Sequence, residues 1–166
     1  MKERLTKKDV EKIEEEKEHR KLVVRKECIE AVKEARAQGD LSENFEYYAA
    51  KREKNINESR IRYLDRMLKT ADVIQEDSKA DEVGLNNTVT LFIEDDNIEE
   101  KYKLVTSIRG NSLEGRISIE SPIGKAIIGH KEGDRVFIQV NEKFGYYVVI
   151  RKIEKNNDED DKLRSY

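Results

Sequence analysis

The chain has 166 residues, 42% of them charged and 36% apolar, with a formal net charge of −3. That length suits one ordinary domain or two small ones; the charge density excludes one large core, and the apolar stretches exclude disorder throughout. Interspersed acids and bases exclude nucleic-acid binding driven by an overall basic balance, and a single cysteine, Cys28, excludes an internal disulfide.

No apolar run is long enough to span a membrane. The N-terminal MKERLTKKDVEK lacks the apolar core of a signal peptide. A cytoplasmic protein is the expectation.

Residues 6–38 contain neither Gly nor Pro and are dense in Glu, Lys, Arg and Ala, which predicts a long helix. Val10, Ile13, Val23, Ile29, Val32 and Ala35 recur near helical spacing. The stripe is broken at 14–21, EEEKEHRK, where two turns carry no apolar residue. There the stems of Lys17 and Arg20 are expected to cover the facing helix while their charges stay wet. The hairpin is expected to be weak at that level, opposite residues 63–67. Gly39 is expected to stop the helix as a left-handed cap.

The break reads GDLSENFEYYAAK, residues 39–51, and packs Asp40, Glu43, Glu46 and three aromatic rings between two long charged segments. Asp-x-x-Glu at a helix start can satisfy orphan N–H groups as a capping box, and negative charge there suits the helix dipole. Glu46, three residues after Glu43 on the same helical face, is an acid that a cap does not need. Phe45, Tyr47 and Tyr48 point in several directions around a helix end, so at least one ring is expected to be exposed. Lys51 and Arg52 follow one to two turns on. Acids for a metal, rings for stacking and cations for phosphates are the parts of a site acting on single-stranded nucleic acid. Mg²⁺ asks for octahedral oxygen coordination, so carboxylates on such a tip suggest a half-site completed by a partner.

A second helix is expected from about Ser42 to Ala71, with Ala49, Ile56, Ile61, Leu64, Leu68 and Ala71 as its stripe. Two such helices, each about 45 Å long at 1.5 Å per residue, must fold back antiparallel across so short a connection.

After Asp77 the period changes from helix to strand. Strands are expected at 87–93, 102–108, 116–119, 135–140 and 146–153, with turns at EDDN and KEGD. Between them SPIGKAIIG offers Ser121 as N-cap, Pro122 at the first helical position and Gly129 as the stop of a short helix. A small antiparallel sheet covered by one helix is the economical architecture. The fold class is α+β: a coiled-coil hairpin over 1–77, a sheet domain over 78–155, and a polar tail over 156–166 expected to be disordered. His19 and His130 fall in different domains and Cys28 stands alone, so no zinc site is expected.

ARAQGDLSENFEYYAAK and ESRIRYLDRMLKTADVI, followed by ISIESPIGKAIIGHKEGDRV, resemble the bacterial Gre transcript-cleavage factor family over roughly residues 5–153. The resemblance implies a coiled coil followed by an FKBP-like domain. It implies that the second domain docks on RNA polymerase at the rim of the secondary channel, while the coiled coil enters the channel. It implies that Asp40 and Glu43 help hold a Mg²⁺ jointly with the polymerase and orient the attacking water, so that the polymerase itself, not this protein, cuts backtracked RNA. Glu46 is a candidate supporting acid that could serve only to tune the field. Lys51 falls at a usually basic position and is expected to meet the RNA 3′ end. Arg52, also assigned to RNA contact, replaces a common acid. Glu120, Ser121 and Pro122 match the family's docking loop, and a helix N-cap at the same place is compatible with that role. DNA would be met only through the elongation complex, and a monomer is expected.

Departures lie in the first helix: Lys17 and Arg20 replace common leucines, Lys26 a common proline and Asp9 a common glycine. Three alternatives stay open: a channel-occupying inhibitor without cleavage activity, a prolyl isomerase or chaperone, and a plain coiled-coil adaptor. The second is disfavoured because such sites favour an aromatic floor, often Trp, and the chain has none.

Overall fold

The computed structural model describes residues 2–39, 44–156 and 161–165. The chain divides into two compact units, Met1–Glu3 with Val10–Ala71 and Arg4–Asp9 with Asp72–Tyr166. The change of period in the sequence predicts one boundary after residue 77. The structure divides the chain earlier and gives Arg4–Asp9 to the second unit.

The first unit is a helical hairpin. α1 (Lys7–His19) passes through a π-helical segment (Arg20–Val24) into α2 (Arg25–Ala37), and α3 (Phe45–Lys69) returns. Side-chain pairs run in opposite directions along the arms: Arg36 meets Tyr47, Arg25 meets Glu58 and Lys17 meets Asp65. With 25 residues, α3 is about 37 Å long, shorter than expected because it starts at Phe45 rather than near Ser42 and ends at Lys69 rather than Ala71.

Ile13, Ala35, Ile61, Leu64 and Met67 are buried. Val23, Ile29 and Ile56, expected in the same stripe, are exposed. Val23 lies in the π-helical turn, where i→i+5 bonding puts an extra residue into one turn and breaks the 3.6-residue period.

The apolar gap at 14–21 is filled by charge. Lys17 Nζ lies 2.6 Å from Asp65 Oδ1. Glu16 Oε2 accepts from Arg20 Nε and from the buried Arg60 Nε, each at 2.8 Å. Arg20 Nη1 donates to Asn57 Oδ1 at 2.9 Å, and Asn57 Nδ2 returns a bond to the Arg20 carbonyl at 3.2 Å. Arg25 grips Glu58 with two bonds, at 2.7 and 2.9 Å. The cations are thus paired across the hairpin rather than only solvated, and Asn57, Glu58, Arg60 and Asp65 are the residues that answer the gap. Hydrogen bonds from Lys17 and then Lys69 hold the Asp65 pKa down to about 2.

Burial alone would raise the Glu16 pKa, but hydrogen bonds from Arg60 and Arg20 outweigh it and hold the group below the usual carboxylate range. A depressed carboxyl contributes stability that is complete above its unfolded value, about 4.3, and lost as pH falls through its folded one. Glu16→Gln is therefore expected to cost about 1–3 kcal/mol at pH 7, because Arg60 loses its anion. Thermal unfolding should show the deficit shrinking as the pH falls through the acid range.

In the second unit, residues 4–6 of β1 (Glu3–Thr6) and 72–74 of β2 (Ala71–Ile74) form a two-stranded sheet that the sequence reading did not find. The main sheet has the order β5-β4-β3-β7-β6: β3 (Thr88–Ile93), β4 (Ile98–Val105), β5 (Arg116–Ser118), β6 (Arg135–Gln139) and β7 (Gly145–Glu154). It is antiparallel except that β5 pairs parallel to β4. Two short 3₁₀ turns, Ser107–Arg109 and Ser112–Glu114, carry the chain back to make that pairing. The core takes Val89 and Leu91 from β3, Val136 and Ile138 from β6, Val148 and Ile150 from β7, and Ile127 from α4 (Pro122–Ile127), as period-2 alternation requires.

Residues 161–165 pack on this unit instead of joining a disordered tail. Arg109 is fully buried, with Nε 2.7 Å from Asp9 Oδ1 and Nη1 2.7 Å from Asp161 Oδ2. Lys103 Nζ reaches the same Asp161 oxygen at 2.9 Å, and the Arg164 amide donates to the Ile108 carbonyl at 2.6 Å. Asp9 also closes a capping box with Thr6, at 3.0 and 3.1 Å. Asp9 thus meets the buried Arg109 with a buried carboxylate. Burial would raise the Asp161 pKa, but Lys103 and Arg109 hold it below the usual range. Asp161→Asn is expected to cost about 1–3 kcal/mol, to remove hydrogen-exchange protection at the Arg164 amide, and to matter less as pH falls through the Asp161 pKa.

Candidate functional site

Two places carry the residues singled out from sequence. They are the tip of the hairpin in the first unit and the loop before α4 in the second.

At the tip, α2 ends with Gln38 as C-cap, its N–H bonded to the Ala35 carbonyl at 3.3 Å. Gly39 then adopts φ +130°, which side chains rarely tolerate. Positive φ was expected there, but the value lies beyond a left-handed helical cap. Asp40 and Glu43, the two acids proposed as metal-linked, lie outside the described residues, as does Ser42.

Asn44 is the N-cap of α3: its Oδ1 accepts from the Tyr47 N–H at 3.0 Å. Its Nδ2 donates to the Ala35 carbonyl at the end of α2. One amide thus serves orphan groups on both arms, an N–H of α3 and a C=O of α2. In the sequence the capping-box spacing of Asp40 and Glu43 draws the cap away from Asn44. The signal was present, a strong N-cap residue directly before the aromatic run. With Asn44 in this place, α3 has its cap without Asp40 or Glu43.

Glu46 stands in the first turn of α3 and is exposed. Phe45 is 84% exposed, and Tyr48 is exposed beside it. Tyr47 is tied to the other arm: the Arg36 guanidinium lies 5.6 Å from its ring centroid and donates a long 3.5 Å bond to its hydroxyl. That bond, with the field of Lys51, Arg36 and Lys54, pulls the Tyr47 hydroxyl below its ordinary pKa. Tyr48 meets Tyr47 edge to face at 5.6 Å. Lys51 and Arg52 are exposed on the next turn. Among the described residues no group of three His, Cys, Asp or Glu side chains is placed to hold a metal ion.

In the second unit, Ser121 caps α4, accepting from the Gly124 N–H at 3.1 Å, and Pro122 opens the helix. Ser118 ties the loop together: its carbonyl accepts from Ser121 Oγ at 2.6 Å and Ser121 N at 3.0 Å, and its Oγ accepts from the Glu120 N–H at 2.9 Å. A Cβ on Gly124 would stand 2.2 Å from the Ser118 carbonyl oxygen, so this crossing requires glycine. Glu120 and Pro122 remain exposed on the braced loop. The Glu120 carboxylate pairs with Arg4, 116 residues earlier, a partner that no local pattern announces.

A helical hairpin with an aromatic, mixed-charge tip, joined in sequence to a small curled sheet with a capped loop, defines a two-unit factor with an exposed residue set on each unit. Family models make the class specific. "Transcription elongation factor, N-terminal" matches residues 3–73. "Transcription elongation factor, GreA/GreB, C-term" matches residues 77–155. The chain is 43% identical to transcription elongation factor GreA of Lachnoclostridium phytofermentans over 92% of this chain and 96% of that protein. It is 47% identical to GreA of Caldanaerobacter subterraneus subsp. tengcongensis over 82% of this chain and 87% of that one. Among solved structures it is 26% identical to GreA factor homolog 1 of Thermus thermophilus, over 93% of this chain and 100% of that chain, with a TM-score of 0.43. The chain belongs to the GreA/GreB family of transcription elongation factors. Among the described residues no helix is long and apolar enough to cross a membrane.

Asn44→Ala removes the N-cap of α3 and the tie to α2 together. It is expected to cost about 0.5–2 kcal/mol and to speed hydrogen exchange at the Tyr47 amide before that at amides in the middle of α3.

Proposed function

We propose that this protein binds bacterial RNA polymerase through the loop of Glu120, Ser121 and Pro122, inserts its hairpin into the secondary channel, and stimulates cleavage of backtracked RNA by the polymerase. Arrested complexes are thereby returned to elongation. The protein is not itself the hydrolase; it lends carboxylates to the polymerase's active site and acts as a cytoplasmic monomer.

The observation that carries this reading is the cap at Asn44. Because the N-cap of α3 is made by an amide, Asp40 and Glu43 are not needed for that task, and their charge is available to a partner. Asp40 and Glu43 would hold a Mg²⁺ together with polymerase acids, with Glu46 adding negative potential from the first turn. Bound there, the ion would lower the pKa of a water and stabilise charge on the phosphate under attack. A tip carboxylate would accept that water's proton. Lys51 and Arg52 would meet phosphates at the 3′ end of the RNA, and DNA is encountered only within the elongation complex.

Asp40→Asn combined with Glu43→Gln is expected to leave polymerase affinity within about twofold. Stimulated cleavage on stalled, backtracked complexes should fall by about 10²-fold or more, the scale of a lost electrostatic contribution to catalysis. Equal losses of binding and cleavage would assign the acids to docking or folding. A wild-type protein that leaves RNA intact and slows nucleotide addition would be a channel-occupying inhibitor.

A further inference from the structure

The pairing of Glu120 is one-sided. Arg4 Nε donates to Glu120 Oε1 at 2.6 Å, and Arg4 Nη2 lies 2.5 Å from the same oxygen. Oε2 accepts no hydrogen bond among the described residues. A planar guanidinium usually grips both oxygens of a carboxylate; here both of its contacts go to one. The Glu120 backbone is held independently by the Ser118 hydroxyl. Arg4 and Glu120 belong to the same unit, and their side chains are 41% and 44% exposed. An ion pair that open to solvent adds little to folding stability, so its geometry has consequences elsewhere.

We infer that Arg4 is a positioning residue for docking: by holding Oε1 it fixes the rotamer of Glu120 and presents Oε2 outward to a cationic side chain, arginine or lysine, on the polymerase. This rests on the docking role of the 120–122 loop proposed above. A free glutamate would have to give up side-chain freedom on binding. With Arg4 in place much of that ordering is complete beforehand. Arg4 also leaves the pair net neutral, so the partner's cation meets a directed lone pair rather than a diffuse negative field. Affinity should therefore depend on geometry more than on net charge.

The test is a double-mutant cycle on the full-length protein, read as Kd for bacterial core RNA polymerase. Cleavage at saturating protein and the thermal midpoint are measured alongside. Glu120→Gln is expected to weaken binding about tenfold, and Arg4→Gln about three- to fivefold. The double variant should bind no more weakly than Glu120→Gln alone, since Arg4 acts only through that carboxylate. Arg4→Lys, which can still reach Oε1, should recover most of the affinity. In the Arg4 variants cleavage at saturation and the thermal midpoint should not move. Additive losses, or an Arg4→Gln protein that binds as wild type, would overturn the positioning role. Wild-type binding by Glu120→Gln is a separate result, which removes the docking role of the loop and this inference with it.

Discussion

A hairpin of two helices has one buried stripe and no other core, so every turn along it must be held by what faces it across that stripe. Most of this one is held by Ile13, Ala35, Ile61, Leu64 and Met67. At 14–21 no apolar side chain is available, and Glu16, Lys17 and Arg20, with Arg25 just beyond, pair with residues of α3 instead. Apolar contact is non-directional and tolerates small slips. Paired ions and bidentate bonds do not, since they lose most of their energy when displaced by an ångström or two. The charged section therefore adds less stability than leucines would and fixes the alignment of the arms more tightly. The π-helical turn lies within this section. The Asn57 amide bonds the Arg20 carbonyl at its start, so a residue of α3 helps close the turn.

At the tip the governing constraint is the set of unsatisfied groups at two helix ends. Asn44 serves both ends with one side chain, and Arg36 fastens Tyr47 across the same gap. These two ties bring the arms together at the tip using neutral or cationic groups. The consequence for function is electrostatic. The cap of α3 is made by an amide and needs no carboxylate, while Lys51 and Arg52 stay exposed one turn further along α3.

The second unit depends on a charge that water does not reach. Arg109 is sheltered from solvent and would be prohibitively costly without its anions; Asp9 and Asp161 supply them from opposite ends of the sequence. That requirement draws residues 161–165 onto the sheet unit. The loop at Glu120 is stabilised by a different means, local hydrogen bonds to Ser118 that leave its side chains outward. One cluster satisfies its polar atoms in the interior, and the other leaves Glu120 and Pro122 exposed.

The sequence by itself determined what depends on near neighbours. The helices, the period-2 strands, the Ser121–Pro122 cap and the charged gap in the hairpin all follow from residues a few positions apart, because propensity, periodicity and capping are local. The quoted motifs carried the family for the same reason. Only the tertiary structure decided which partner each buried charge would take: Arg109 with Asp9 and Asp161, Glu16 with Arg60, Arg4 with Glu120. It also decided that the period would break at a π-helical turn, that β5 would run parallel to β4, and that Asn44 would be the cap. A carboxylate does not encode, in its own neighbourhood, which of 33 lysines and arginines will lie within 3 Å; chain topology chooses it, and the cost of burying a charge unpaired enforces the choice.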